Sequence, residues 1–306
     1  MAISTDLSST ASSTSERLSQ AIGRRQSSVR RPRGGVPSGL GKHLFLGTCA
    51  VLALFPVVLV FSTALRTERD VRVDPFGLFT SFSWENLVTA WTEGGFGDYF
   101  LTSVWLSVPT TVVVVVLCTL SGYALARCEF PGRDLIFYLI VLGILVPFFT
   151  IMIPLYFQLR DLGLLNRLPG VQLVLIAIGL PFGTFFMRAF FQGLPVELEQ
   201  AARVDGCSEW KAFVYIMMPL ARSGAAALAI FTFLQNWNNF LVPLLYLPSG
   251  DHRPLTTALY VFAGERTIDI GPLAAATLIT IIPILVLFVL AQRQLIRGFI
   301  AGAVKG

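Results

Sequence analysis

Six long apolar stretches constrain this 306-residue chain more than any other feature. They run approximately over His43–Leu65, Tyr99–Ala126, Leu135–Gln158, Val171–Phe190, Ser223–Leu247 and Pro272–Gln292. Crossing ~30 Å of hydrocarbon takes about 20 helical residues, because every backbone N–H and C=O must be satisfied within the segment. Each stretch meets that length. Charged residues make up 13% of the chain, against about 25% in soluble domains, so a water-soluble surface cannot be assembled from them. An all-α membrane protein with six transmembrane helices is expected. The first stretch starts too late and runs too long for a cleaved signal, although Ser62 and Ala64 offer a small-x-small site, so it is expected to remain as an anchor.

Residues 1–42 read differently. Twelve of the first 28 are Ser or Thr, and Arg24, Arg25, Arg30, Arg31, Arg33 and Lys42 follow among Pro32, Gly34, Gly35 and Pro37. Such a segment buries too little apolar surface to offset its ordering entropy, and a disordered tail is expected. Its charge, placed directly before a span, is expected to set orientation rather than to bind nucleic acid. With the N-terminus inside, 16 of the 23 Lys and Arg residues fall on the cytoplasmic side and seven outside: Arg66, Arg69, Arg72, Arg160, Arg167, Arg253 and Arg266. That bias places both termini in the cytoplasm. Residues 43–306 are then one transmembrane domain ending in a tail over 293–306.

The longest polar interval between apolar stretches in the second half, 194–222, has the same sidedness. Pro195 presets a first-turn φ, Glu197 and Glu199 place negative charge at a helix N-terminus, and Ala201 and Ala202 leave a flat face. Gly206 ends that helix, and Ser208 is positioned to cap a second one carrying Trp210, Phe213, Ile216 and Met217 before Pro219. Two short helices meeting at a glycine make a compact knob.

Within the fifth stretch, Gln235, Asn236, Asn238 and Asn239 surround Trp237 at mid-span. Amides facing lipid are unfavourable, so they are expected either to join neighbouring helices or to line a watery path. Sugars present hydroxyls to amides and C–H faces to rings, which this set would suit. Prolines stand in or near the middle of the spans, with Pro147, Pro154 and Pro243 as candidate hinges. Trp84, Trp91 and Phe96 lie in the segment between the first two stretches, placed either to anchor at the bilayer surface or to receive an extracytoplasmic partner.

Several exclusions follow. The only glycine-lysine pair resembling a phosphate-binding loop, Gly41-Lys42, has Val36 where the first glycine belongs and His43 where the hydroxyl belongs. The two histidines, His43 and His252, lie on opposite sides of the membrane, so no histidine-based catalytic or metal site is expected. Cys49, Cys118, Cys128 and Cys207 have no metal-ligand spacing. Asp, Glu and Lys are missing from the span cores, contrary to an ion-coupled carrier.

The Gln200-Ala201-Ala202, Gly206, Ile216, Pro219 spacing, with Asp205 preceding the glycine, resembles the EAA loop of ABC-importer permeases, with Gln200 where that family usually carries glutamate. Phe96–Ser103 and the Ala-Leu-Ala-Arg turn ending at Arg127 also resemble it. The Trp237–Pro243 string and the tail Gln292–Gly306 are similar to the carbohydrate branch, in particular the maltose-type second permease subunit. The resemblance implies a MetI-like permease fold in the bacterial inner membrane, whose loop is a cytoplasmic coupling helix. ATPase contacts would fall on Glu197, Glu199, Gln200, Ala201, Ala202, Asp205, Gly206, Ile216 and Pro219, with Gly302, Ala303, Val304, Lys305 and Gly306 in the tail. It implies a second related permease, two ATPases that use ATP and Mg, and a solute-binding protein, with membrane lipid around the spans. The cargo implied is a sugar or oligosaccharide, with a glycerophosphodiester or polyol as the alternative and a secondary carrier or membrane enzyme as the competing classes. No catalytic residue, metal or cofactor is expected on this chain.

Overall fold

The computed structural model describes residues 38–249, 252–265 and 270–303. Residues 1–37, Arg266 and Val304–Gly306, on which parts of the tail and charge expectations rest, lie outside the described residues. Among those described, every regular element is helical. The first helix, α1 (Ser38–Ala64), begins ahead of the expected boundary at residue 43 and contains Pro56. The chain divides there into two units, Met1–Pro56 and Val57–Gly306.

Between the first two spans the chain is ordered as two short helices, α2 (Glu68–Val73) and α3 (Glu85–Thr92). The second span is α4 (Phe96–Arg127). The third expected span is not one rod: α5 (Arg133–Leu145) and α6 (Phe148–Asp161) meet at a bend of 99°. Pro147 has no N–H to continue the ladder and pushes the residue before it out of the helical region, and Val146 accordingly takes φ −78° and ψ 111°. Pro154, by contrast, is carried inside α6.

Two helices, α4 and α7 (Leu168–Gly193), form the packed axis of the second unit. Their backbones come close at small residues: a Cβ on Gly183 would lie 2.5 Å from Cys118 Sγ, and one on Gly122 would lie 2.6 Å from Met187 Cβ. In lipid, where apolar burial gives no net drive, such close packing is what holds helices together. After α7 come α8 (Glu197–Val204) and α9 (Glu209–Ala212). A wide π-turn over Phe213–Met217 then leads into α10 (Met218–Trp237). Pro219 sits in the first turn of α10, and the π-turn ahead of it absorbs the missing donor without a sharp kink. Beyond Trp237 lie α11 (Leu241–Tyr246), α12 (Leu255–Glu265) and α13 (Ile270–Ala303). Among the described residues, five helices can cross a membrane by length and composition, or six if the bent α5–α6 pair counts as one.

Three buried clusters fill the unit. One joins α4, α7, the π-turn and α10 around Tyr123, Met187, Phe191, Phe213 and Met217. Another gathers Ala64, Phe96, Trp237, Phe262 and Ala274–Ala276. The third packs α11 against α4, α6 and α7 through Leu106, Leu159, Val171 and Tyr246, whose hydroxyl donates to Met152 O at 2.9 Å.

Candidate functional site

The knob over 194–222 folds by local rules. The carbonyls at the end of α8 are closed by Gly206 N–H donating to Arg203 O at 3.1 Å and Cys207 N–H donating to Ala202 O at 2.9 Å. This pair of bonds requires a left-handed residue between them, and Gly206 has φ +81°. Ser208 caps α9, its hydroxyl accepting from Lys211 N–H at 3.4 Å. Phe213 and Met217 face the interior and Ile216 is half-buried, as the 3/4 spacing predicts. Trp210 instead stands exposed over the knob, with its ring 5.6 Å from Phe213.

The polar residues of the knob divide into two sets. Gln200, Ala201, Asp205 and Gly206 face outward beside Val204 and Tyr215, as does Glu197. Glu199 faces inward and is only 2% exposed. Its Oε1 accepts from Tyr123 Oη at 3.0 Å and from Arg203 Nη2 at 3.1 Å. Its Oε2 lies 3.8 Å from Arg127 Nε, and neither atom has a hydrogen-bond partner among the described residues. Arg127 meanwhile donates through Nη2 to Phe191 O and Leu194 O, both at 2.6 Å. One arginine at the end of α4 therefore closes the C-terminus of α7, while facing the carboxylate that roots α8. Arg203 extends the chain of charges to Glu209 at 2.9 Å.

Close by, Arg188 on α7 donates to Leu125 O at 3.1 Å and lies 3.7 Å above the Phe137 ring, binding α4 and α5 to α7. Burial, then the carboxylates of Glu209 and Glu199, push the Cys128 thiol up, so it stays protonated in this basic-acidic junction. Sequence reasoning placed Glu199 with the helix dipole and, by resemblance, with Ala202 among the ATPase contacts, whereas both are buried here, and it left Arg127 as an anchoring charge. Their meeting is tertiary and has no spacing signature.

The span-5 amides stand where a helix stops. Asn238 follows the last residue of α10, and Asn239 accepts from Val242 N–H at 3.0 Å, capping α11. Asn236 is buried and donates to Thr111 Oγ1 at 3.4 Å, joining α10 to α4. Gln235, Asn236 and Asn239 line a recess of about 240 Å³ with Thr232, Phe182 and Phe231. A second, of about 600 Å³, adds Asn238 and Phe240 and shares Gln235 and Asn239 with the first. Trp237 is not on these walls. It is buried on the other side of α10 against Phe100 and Phe233, with its indole N–H donating to Thr280 O at 3.2 Å. Gly302 and Ala303 close the helical part of α13, and the rest of the proposed tail contact lies outside the described residues. No group of His, Cys, Asp and Glu among the described residues is arranged to hold a metal ion.

These features define a polytopic helical membrane protein with a polar knob tied to its spans by buried charge and an amide-lined recess within the bundle. Residues 119–299 match the family described as binding-protein-dependent transport system inner membrane component, and the chain belongs to that family. It is a multi-pass inner-membrane permease of the ABC-importer class, a class that works with an ATPase and a substrate-binding protein. Among its relatives, the diacetylchitobiose uptake system permease protein NgcG of Streptomyces coelicolor is 39% identical over 86% of each chain. The arabinooligosaccharides transport system permease protein AraQ of Halalkalibacterium halodurans is 35% identical over 84% of this chain and 93% of its own. A crystal structure of a bacterial ABC transporter involved in import of the acidic polysaccharide alginate matches with a TM-score of 0.72, over 83% of this chain and 95% of that one. Its 23% identity makes that a likeness of fold.

Proposed function

We propose that this chain is one of two related permease subunits of an importer for a sugar or oligosaccharide, driven by ATPase subunits that bind ATP and Mg in its place. The relatives' cargoes, diacetylchitobiose, arabinooligosaccharides, trehalose and lactose, support that class of solute over a phosphodiester or polyol. Both termini and the knob lie on the cytoplasmic side, in keeping with the bias of basic residues. The observation that carries the reading is the Glu199 junction. A knob whose outer face shows Gln200, Ala201, Val204 and Trp210, and whose root is fastened to the ends of α4 and α7, moves those helix ends when a partner moves it.

Gly206 tests this. A Cβ there would meet nothing within 4 Å, so only its backbone conformation resists substitution. Alanine at positive φ costs about 1–2 kcal/mol and a β-branched residue more. Gly206→Val is expected to leave the chain inserted and paired with its partner permease, while weakening ATPase co-purification and abolishing solute-stimulated ATP turnover. Gly206→Ala should be milder. Normal docking and turnover in the valine variant would remove the knob from power transmission.

The recess offers a second test. Asn238 is exposed and, among the described residues, its amide donates to Leu234 O of the helix it ends, so Asn238→Leu should lower uptake with assembly intact. Asn239→Leu should weaken assembly too, since a lost cap costs about 1 kcal/mol. Unchanged uptake in the Asn238 variant would leave these amides as joints between helices.

A further inference from the structure

The segment from Asp74 to Trp84 is inside-out by the standard of a loop in water. Its apolar side chains point away from the protein: Phe76, Leu78, Phe79, Phe82 and Trp84 are all exposed, Phe76 to 72% and Phe82 to 65%. Three of its polar groups meet Arg66 and Thr67. Thr80 Oγ1 accepts from Arg66 Nε at 2.8 Å, Gly77 O accepts from Arg66 Nη1 at 2.7 Å, and Ser81 Oγ accepts from Thr67 N–H at 3.2 Å. Ser83 N–H reaches Leu65 O at 2.7 Å, and Phe79 N–H reaches Ser62 Oγ at 2.8 Å. Phe79 holds φ +51°, a left-handed conformation unfavourable for an aromatic residue, and is kept there by that bond while its ring stays outside.

We infer that this segment is a membrane-seated loop, lying at the headgroup boundary with its aromatic side chains in lipid. Continuity of apolar surface points to lipid as the occupant. The Phe79 ring lies 6.4 Å from the ring of Phe61, itself an exposed residue in the last turn of α1, so the outward apolar surface at the end of that helix meets that of the loop. Part of the backbone is paired within the protein, at Asp74, Gly77, Phe79 and Ser83, and at the headgroup boundary water is present to bond the rest. Aromatic residues that are apolar in body and sit beside hydroxyls and charges favour this boundary. A water-soluble binding protein that docks and leaves would expose the whole set to water between visits. Arg69 and Asp74, both exposed at the base of the loop, supply charge at headgroup level.

The test uses the whole importer, reconstituted in vesicles of phosphatidylethanolamine and phosphatidylglycerol, with p-benzoylphenylalanine replacing Phe82 in one sample and Phe76 in another. The replacement keeps an aromatic side chain at an exposed position, and retained ATP turnover checks that each complex is intact. Illumination is expected to give phospholipid adducts as the main product at both positions, unchanged when loaded binding protein is added. Adducts mainly to the binding protein or to the second permease, or no lipid adduct at either position, would overturn the proposal. In parallel, the double variant F79D/F82D should make the 74–84 segment several-fold more open to protease in the same vesicles. An unchanged cleavage rate counts against the loop being lipid-covered.

Discussion

Two arginines with the same chemistry organise the described ends of this fold in different ways. Arg66, after α1, is fully buried, and each of its three guanidinium nitrogens donates a hydrogen bond: Nε to Thr80 Oγ1, Nη1 to Gly77 O, and Nη2 to Asp70 O at 2.8 Å. Asn86 closes the arrangement by donating to Arg66 O at 2.6 Å. Arg127, at the end of α4, donates through Nη2, and its Nε lies 3.8 Å from a Glu199 oxygen that, like it, has no hydrogen-bond partner among the described residues. A satisfied planar fork binding backbone carbonyls gives a rigid cap, because displacing any one bond leaves a buried polar group unpaired. An ion pair held just beyond hydrogen-bond length leaves a further bond to be made. The first end is built to stay; the second has slack on the element that the proposed function requires to move.

The comparison breaks most visibly at Arg66. Arg66→Leu removes three charged hydrogen bonds from a buried site, although Asp70 O keeps Asp74 N–H and Gly77 O keeps the Ser62 hydroxyl, and about 3 kcal/mol is expected. Limited proteolysis of the 66–84 segment should accelerate strongly and the apparent melting temperature of the purified chain should drop. Arg66→Lys should recover only part of the loss, since an ammonium cannot span all three acceptors. If cleavage in the leucine variant matches the parent, the cap is held by something other than this fork.

A smaller effect is expected at the other end, and of another kind. Glu199→Gln retains an acceptor for Tyr123 but removes the charge facing Arg127 and Arg203, for a stability change of about 1–3 kcal/mol. Tyr123→Phe removes one bond and should cost about 1 kcal/mol. In both, the permease should insert and bind its ATPase, while solute-stimulated turnover falls more than basal turnover. Equal loss of basal and stimulated rates would make Glu199 a plain structural residue and erase the distinction between the two ends.

How far these differences could be read from sequence follows from what carries them. The spans were legible because their length and apolarity are local properties, and the break of the knob at Gly206 was legible because a left-handed helix end favours glycine. The bend at Pro147 was legible only as a hinge position: a proline inside a helix is common in membranes, and neighbouring packing decides whether the helix breaks there, whereas Pro154 is carried inside a continuous α6. Trp237 was grouped with the amides by adjacency, yet helical geometry turns successive residues about 100° apart, and its ring went to the core. Arg66 was counted as an outside charge and nothing more. Its partners are mostly backbone carbonyls, which carry no residue identity, so no pattern of side chains marks it.

The smallest effect sharpens the comparison by titration. Asp70 sits at the start of the cap: its carboxylate accepts from Thr67 Oγ1 at 2.8 Å, and its backbone carbonyl is one of the three acceptors of Arg66. Hydrogen bonds from Ser81 and then Thr67, with a lesser contribution from the Arg66 guanidinium, hold its pKa below the ordinary value of 3.8. A group whose native pKa is depressed binds its proton less readily when folded than when unfolded. Its contribution is therefore complete above the ordinary value and is lost as pH falls through 3.8 towards the lower native one. The cap should loosen in that acidic window, read as faster proteolysis of residues 66–84 by an acid-active protease. Asp70→Asn should flatten that pH dependence while leaving cleavage near neutrality only slightly faster, because the carbonyl that Arg66 uses is untouched. If the asparagine variant keeps the full acid response, the sensitivity belongs to another carboxylate, and Asp70 is removed from the set that stiffens this end.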